Sequence, residues 1–151
     1  MTYGTTPISI LRQGPYLIAS FHTALDDAEL TQLRRDLVEQ IGRYRSRGVV
    51  IDVAAVDVLD SFGTKTLREI AEMARLRGAL TVVVGIAPEV AFTMVQLGQG
   101  LGLAAARLDL EDGLAYLDAS LNGSLDGSSG THANGRRADR ARGRPGTGGA
   151  G

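Results

Sequence analysis

The stretch Gly48-Val49-Val50-Ile51-Asp52-Val53, followed by Val58-Leu59-Asp60-Ser61-Phe62-Gly63-Thr64, constrains this chain more than any other. Three consecutive β-branched residues favour an extended, buried strand, and an acid closes it. The second run reads as a loop delivering Asp60 and Ser61 to the start of a helix. Backbone N–H groups point outward at a helix start, where negative charge is favoured. Ser61 is therefore placed either to cap the helix or to carry a phosphate. Such a strand needs cover on both faces, so the chain around it must supply neighbouring strands and helices.

The flanking sequence supplies them. Ile8-Ser9-Ile10-Leu11 and Tyr16-Leu17-Ile18-Ala19-Ser20-Phe21 are strand candidates, and Gln13-Gly14-Pro15 reads as their hairpin turn. Asp26 or Asp27 offers a helix cap, and Leu30, Leu33, Leu37, Ile41 and Tyr44 follow at helical spacing, with Gly48 near the expected helix end. After Ser61, Leu67, Ile70, Ala71 and Ala74 form an apolar face that Gly78 closes. Residues 79–86 read as a central strand. Pro88 opens a helix with Val90, Ala91, Met94, Leu97 and Leu101 at helical spacing. A short edge strand at 105–108 precedes a last helix that turns Leu114, Leu117 and Leu121 inward. The order β-β-α-β-α-β-α-β-α predicts an α/β fold: a mixed, mostly parallel sheet with an antiparallel N-terminal strand and about four helices.

Apolar residues make up 44% of the 151 positions and aromatics 5%, so the core is aliphatic. The chain divides near Leu121. Residues 1–121 form one domain carrying eleven basic and fifteen acidic residues. Residues 122–151 carry five Arg and two Asp, and nine of the thirty are Gly, which reads as a disordered tail. The acidic body argues against nucleic acid, whose phosphates demand clustered Lys and Arg. There is no Cys, so neither a disulfide framework nor a thiolate zinc site is available, in keeping with a cytoplasmic location. No signal-peptide pattern opens the chain, and no apolar run reaches the ~20 residues of a membrane helix.

Catalytic patterns are sparse. No Gly-x-Ser-x-Gly elbow or phosphate-binding Gly-Lys loop occurs, and Lys65 is the single lysine. Gly98-Gln99-Gly100-Leu101-Gly102 follows a helix and reads as its terminating loop. His22 and His132 are the only histidines, and a Ser61–His22–Asp triad is left open by spacing alone. Asp52, Asp57 and Asp60 gather at the strand–helix junction. They admit a Mg²⁺ or ligand site of a small enzyme, or plain turn-forming carboxylates.

Val49-Val50-Ile51-Asp52-Val53, Val56-Asp57-Val58-Leu59-Asp60-Ser61-Phe62 and Gly85-Ile86-Ala87-Pro88-Glu89-Val90-Ala91 together resemble the STAS family, the sulfate transporter and anti-sigma factor antagonist domains. The likeness covers about residues 7–121, and the Gly-Ile-x-Pro segment is similar to the stressosome branch. Few residues precede the first strand, which resembles the single-domain scaffold antagonist (RsbS-type) more than a sensor-bearing co-antagonist. The resemblance implies a non-enzymatic phosphoprotein, without cofactor or metal, whose phosphoacceptor is Ser61. It implies a switch serine/threonine kinase of the anti-sigma type, held by the unphosphorylated form at Asp60, Ser61, Phe62 and Thr64. It also implies assembly with copies of itself or with a co-antagonist of the same fold, in stress or sigma-factor signalling. A free, monomeric anti-anti-sigma factor is the alternative within the family. Co-antagonists often carry a second phosphorylated Thr just before Gly-Ile-x-Pro; Val84 stands there, so that second switch is absent.

Overall fold

A computed structural model describes residues 7–98 and 100–123. The tail expected to be disordered falls at 124–151 outside the described residues; 122 and 123 continue the last helix. The elements are β1 (Ile8–Gln13), β2 (Tyr16–Phe21), α1 (Asp27–Tyr44), β3 (Gly48–Asp52), α2 (Ser61–Leu76), β4 (Leu80–Val84), α3 (Pro88–Gln96), β5 (Ala105–Arg107) and α4 (110–123).

The sheet runs β1-β2-β3-β4-β5 in space as in sequence. β1 and β2 are antiparallel and every other pairing is parallel. Gly14 and Pro15 join the hairpin with Gln13 opposite Tyr16. Gly14 takes φ +59, while proline holds the next φ negative, so the turn has the handedness that matches strand twist. The three parallel crossovers all step in one direction. Right-handed connections then put α1, α2 and α3 on a single face of the sheet.

That face holds the main core. Leu17, Ala19, Phe21, Val49, Ile51 and Val83 point into it from the strands, and α1 adds Leu30, Leu33, Leu37 and Ile41. Leu67, Ile70 and Ala74 come from α2, and Val90 and Met94 from α3. Arg34 of α1 and Glu69 of α2 form an ion pair between the helices. The alternate strand residues, Ile18, Val50, Val82 and Val84, are buried on the other face. There α4 lies so close that a Cβ on Gly113 would stand 2.7 Å from Val84 Cγ1. Leu117 is fully buried and sits over Gly48 and Tyr16.

Several expectations are corrected. Gly48 does not cap α1; it opens β3, where a side chain would meet Leu117 at 2.9 Å. The cap of α1 is Arg45, in the left-handed conformation at φ 53, ψ 45. That conformation costs a residue with a Cβ about 1–2 kcal/mol. Tyr44 is exposed rather than inward, with the Arg12 guanidinium 4.4 Å above its ring. Ala91 and Leu97 also face outward, because α3 is short and rests on the core through Val90 and Met94 alone. Gly78 does end α2: its N–H donates to Arg75 O, and Ala79 N–H donates to Ala74 O, with Gly78 at φ +85.

Candidate functional site

The site is the loop from β3 to α2, residues 53–60, together with the first turn of α2. Its near side is anchored in the sheet. Val53 N–H donates to Val84 O at 3.0 Å, Val56 N–H donates to Val53 O at 3.0 Å, and both valines are buried. The Asp52 carboxylate accepts from Ala54 N–H at 3.0 Å, closing a turn over its own strand end. Ala54 in turn lies against Gly85. A Cβ on Gly85 would stand 2.8 Å from Ala54 Cβ and 2.9 Å from its backbone N and Cα, and Gly85 holds φ +83. The glycine of Gly85-Ile86-Ala87-Pro88 is thus required twice, for conformation and for the close approach of this loop.

The far side is anchored by the helix. Asp60 is the N-cap of α2: its Oδ1 accepts from Gly63 N–H at 2.8 Å, and its carbonyl accepts from Thr64 N–H at 2.9 Å. Gly63 leaves room for this carboxylate and for Leu59, whose Cδ1 would lie 2.9 Å from a Cβ there. Between these anchors Asp57 and Val58 form an exposed apex, with Val58 70% exposed. Glu89, Val90 and Thr93 of α3 approach the apex and enclose with it a cavity of about 130 Å³. A second cavity, of about 180 Å³, lies on the α1 side beside Leu25 and Leu30. Both fall below the roughly 300–1,000 Å³ of small-molecule sites. They are indentations flanking a ridge, a shape suited to a protein surface.

The structure sorts the predicted site residues. Ser61 is the first helical residue and is exposed. It is not the cap, because Asp60 holds that position. Phe62 is half-buried and rests on the core. Thr64, expected with these three on the partner-facing surface, is fully buried, and its hydroxyl has no hydrogen-bond partner among the described residues. Thr66 is buried as well and donates to Phe62 O at 2.8 Å. Of the hydroxyls on the first two turns, only that of Ser61 belongs to an exposed residue.

Neither alternative chemistry is assembled. Asp52 and Asp60 are engaged in their turns, and no group of three metal-ligating side chains forms among the described residues. His22 Nε2 lies 3.0 Å from Ser9 Oγ, on the hairpin. Sequence reading overlooked Glu89 and Thr93 as neighbours of the loop. Their signal was the helix opened by Pro88, but nothing local says which way that helix faces.

The STAS domain model matches residues 8–100. The chain is 30% identical over 90 residues to RsbT co-antagonist protein RsbRA of Bacillus subtilis (strain 168), covering 60% of this chain and 33% of that protein. It spans about a third of the curated relative it matches. A structure of RsbS from Moorella thermoacetica, carrying a serine-to-glutamate change, superposes with a TM-score of 0.68 at 32% identity, covering 78% of this chain and 99% of that one. A chain from a structure of the stressosome, described as a signal integration and transduction hub, gives a TM-score of 0.62 at 32% identity, covering 75% and 98%. No described helix is long and apolar enough to cross a membrane. The buried strand, the Asp60-capped helix, the close Gly85 turn and these likenesses agree: the chain belongs to the STAS domain family.

Proposed function

We propose that this protein is a phosphorylation-controlled switch in which Ser61 accepts phosphate from a serine/threonine kinase, and that the unphosphorylated form captures that kinase. The observation that carries this reading is the exposure of Ser61 at the first position of α2, with both neighbouring threonines buried. A kinase reaching this turn finds one hydroxyl on an exposed residue. The capture surface is the ridge of Asp57, Val58, Asp60, Ser61 and the exposed edge of Phe62, flanked by the two shallow cavities. A co-antagonist of the same fold and a multi-copy assembly complete the proposal, supported by the likeness to RsbS and to the stressosome chain.

The local geometry suggests how phosphate acts. It adds about −1.5 to −2 charges. The Gly63 N–H is already occupied by Asp60, so the phosphate meets a carboxylate beside it rather than an empty helix start. It is held outward, into the surface that docks the partner. Release follows from repulsion and bulk at that surface, with the fold unchanged.

The test is incubation with the cognate kinase and ATP, read by intact mass and peptide mapping. One phosphate on Ser61, none in Ser61→Ala, and kinase retained by the alanine variant are the expected results. Undiminished phosphate in Ser61→Ala refutes the assignment.

A further inference from the structure

The seam between α1 and α2 takes no part in the switch. Both helices run back from the end where β3 finishes to the end where it begins, so they lie parallel, tied by the Arg34–Glu69 ion pair. On its solvent side the seam opens into two contiguous hollows of about 870 and 400 Å³, with Val38, Met73 and Arg77 in the lining of both. Together they extend along α1 from Thr31 to Arg45. That is about 21 Å of helix, at roughly 1.5 Å per residue.

The hollow is apolar inside and cationic at its rim. Val38 and Ile41 of α1 and Met73 and Leu76 of α2 line it, each pair three residues apart on one helix face. Met73 and Leu76 are 39% and 87% exposed, so this is apolar surface that the core does not use. The missing side chain of Gly42 leaves room for the Arg77 guanidinium to lie across α1. Arg35, Arg45, Arg47 and Arg77 are exposed, and none is ion-paired among the described residues. Glu39, the acid in the lining, is already paired with Arg43. Helix dipoles account for arginines at the ends of α1 and α2. They account neither for Arg35 in the middle of α1 nor for the exposed Met73 and Leu76. Residues 1–121 carry eleven basic and fifteen acidic residues, so this cationic seam stands out on an acidic domain.

We propose that the α1–α2 seam is a docking groove for an acidic amphipathic helix of a partner protein. A length of about 21 Å takes about fourteen helical residues, or four turns. Apolar side chains at i, i+3, i+4 and i+7 would face Val38, Met73 and Leu76, and flanking carboxylates would face the four free arginines. The chain's own segment 122–151 carries five Arg and two Asp, so like charge makes it an unfit occupant. A lipid surface is flat and meets the rim without filling a concave seam. The groove is separate from the Asp57–Ser61 ridge, so the inference goes beyond the switch and leaves that ridge open to the kinase.

The probe is a synthetic peptide of about fourteen residues, glutamates with leucines at i, i+3, i+4 and i+7. It carries a fluorescent label and is held at trace concentration while the full chain is titrated in and anisotropy is read. One control peptide replaces every leucine with serine, and another replaces every glutamate with glutamine. The acidic amphipathic peptide is expected to bind saturably at low salt, at least about tenfold more tightly than either control. Its binding should weaken at about 1 M salt, where charges act over ~3 Å. Arg45→Glu/Arg77→Glu and Met73→Ser/Leu76→Ser change exposed positions, and circular dichroism checks that each keeps the fold. Each should bind the probe about tenfold or more weakly. Val95→Ser, at a 79% exposed position on α3, should bind it like wild type. A probe bound no more tightly than its controls overturns the proposal with wild type alone, whatever the variants do. So does binding that survives both groove variants, or that falls as far in Val95→Ser. Three further results would assign another occupant and overturn it equally. They are a sedimenting mass that falls in the groove variants (a second copy), a labelled peptide of residues 124–151 whose binding those variants abolish, and phosphatidylglycerol-containing vesicles that pellet wild type but not the variants.

Discussion

Replacing Gly85 with alanine tests the packing that sets the switch loop against the sheet, and Gly78 provides an internal control. The two glycines hold nearly the same backbone conformation, φ +83 and φ +85. At Gly78 an added Cβ meets nothing within 4 Å; at Gly85 it lies 2.8–2.9 Å from Ala54 Cβ, Cα and N. The cost of forcing an L-residue into positive φ, about 1–2 kcal/mol, applies to both. The gain from a stiffer unfolded chain, about 0.4–1 kcal/mol, also applies to both and cancels in the comparison. What remains is the clash. Two of the three opposing atoms are backbone, and that backbone is tied by the Asp52–Ala54 hydrogen bond and the neighbouring Val53–Val84 bond. Relief therefore requires moving the loop, at a cost of about 1–3 kcal/mol. Gly85→Ala should be less stable than Gly78→Ala by that amount, out of a total of roughly 5–15 kcal/mol for a domain. Urea titration followed by circular dichroism reads it as a lower midpoint at unchanged slope. Equal midpoints for the two variants, within about 0.5 kcal/mol, would refute the close approach and its role in holding the loop.

Other outcomes follow from particular contacts. Asp60→Ala should cost about 0.5–2 kcal/mol in the same titration, as the loss of an N-cap, while Ser61→Ala leaves the cap in place and should cost less. Thr64→Val removes a buried hydroxyl that has no partner among the described residues while keeping the shape, so stability should hold or rise by up to ~1–3 kcal/mol, with phosphate incorporation at Ser61 unchanged. A loss in Thr64→Val above about 1 kcal/mol would mean that this hydroxyl is bonded after all. Leu117→Ala empties the contact over Gly48 and Tyr16 and should cost about 2–5 kcal/mol, while α1 and α2 keep their core on the opposite face.

The sequence determined the elements and their order because each is written in local terms. The continuous runs 16–21, 48–52 and 80–84 are apolar on both pleats, which only strands covered on both faces require. Leu30, Leu33, Leu37 and Ile41 repeat at the helical period, and all four are buried. Asp26 caps α1 with Glu29 reciprocating, a pattern read from two residues three apart. The loop-to-helix site was legible for the same reason: an acid and a serine directly before a periodic stretch mark a helix start.

The tertiary structure decided the roles within that site. Asp60 and Ser61 are both able to cap, and the choice depended on where the chain leaves Val56, a buried residue fixed by β3 and β4. Thr64 looks like Ser61 in sequence, yet three residues advance a helix by about 300°, and the remaining offset of about 60° is enough to turn Thr64 into the core. Tyr44 and Leu97 fit the apolar stripe of their helices but stand at the helix ends and face outward, so their periodicity brings no burial. Gly48 belongs to β3 rather than to the end of α1, and it must be a glycine there because α4, more than sixty positions later, occupies the space where a side chain on residue 48 would stand. Periodicity and capping act over a few residues, and one sequence carries them whole. Which hydroxyl is exposed, which carboxylate caps and which glycine is indispensable are set by contacts between elements distant along the chain, and those exist only once the sheet has closed its two faces.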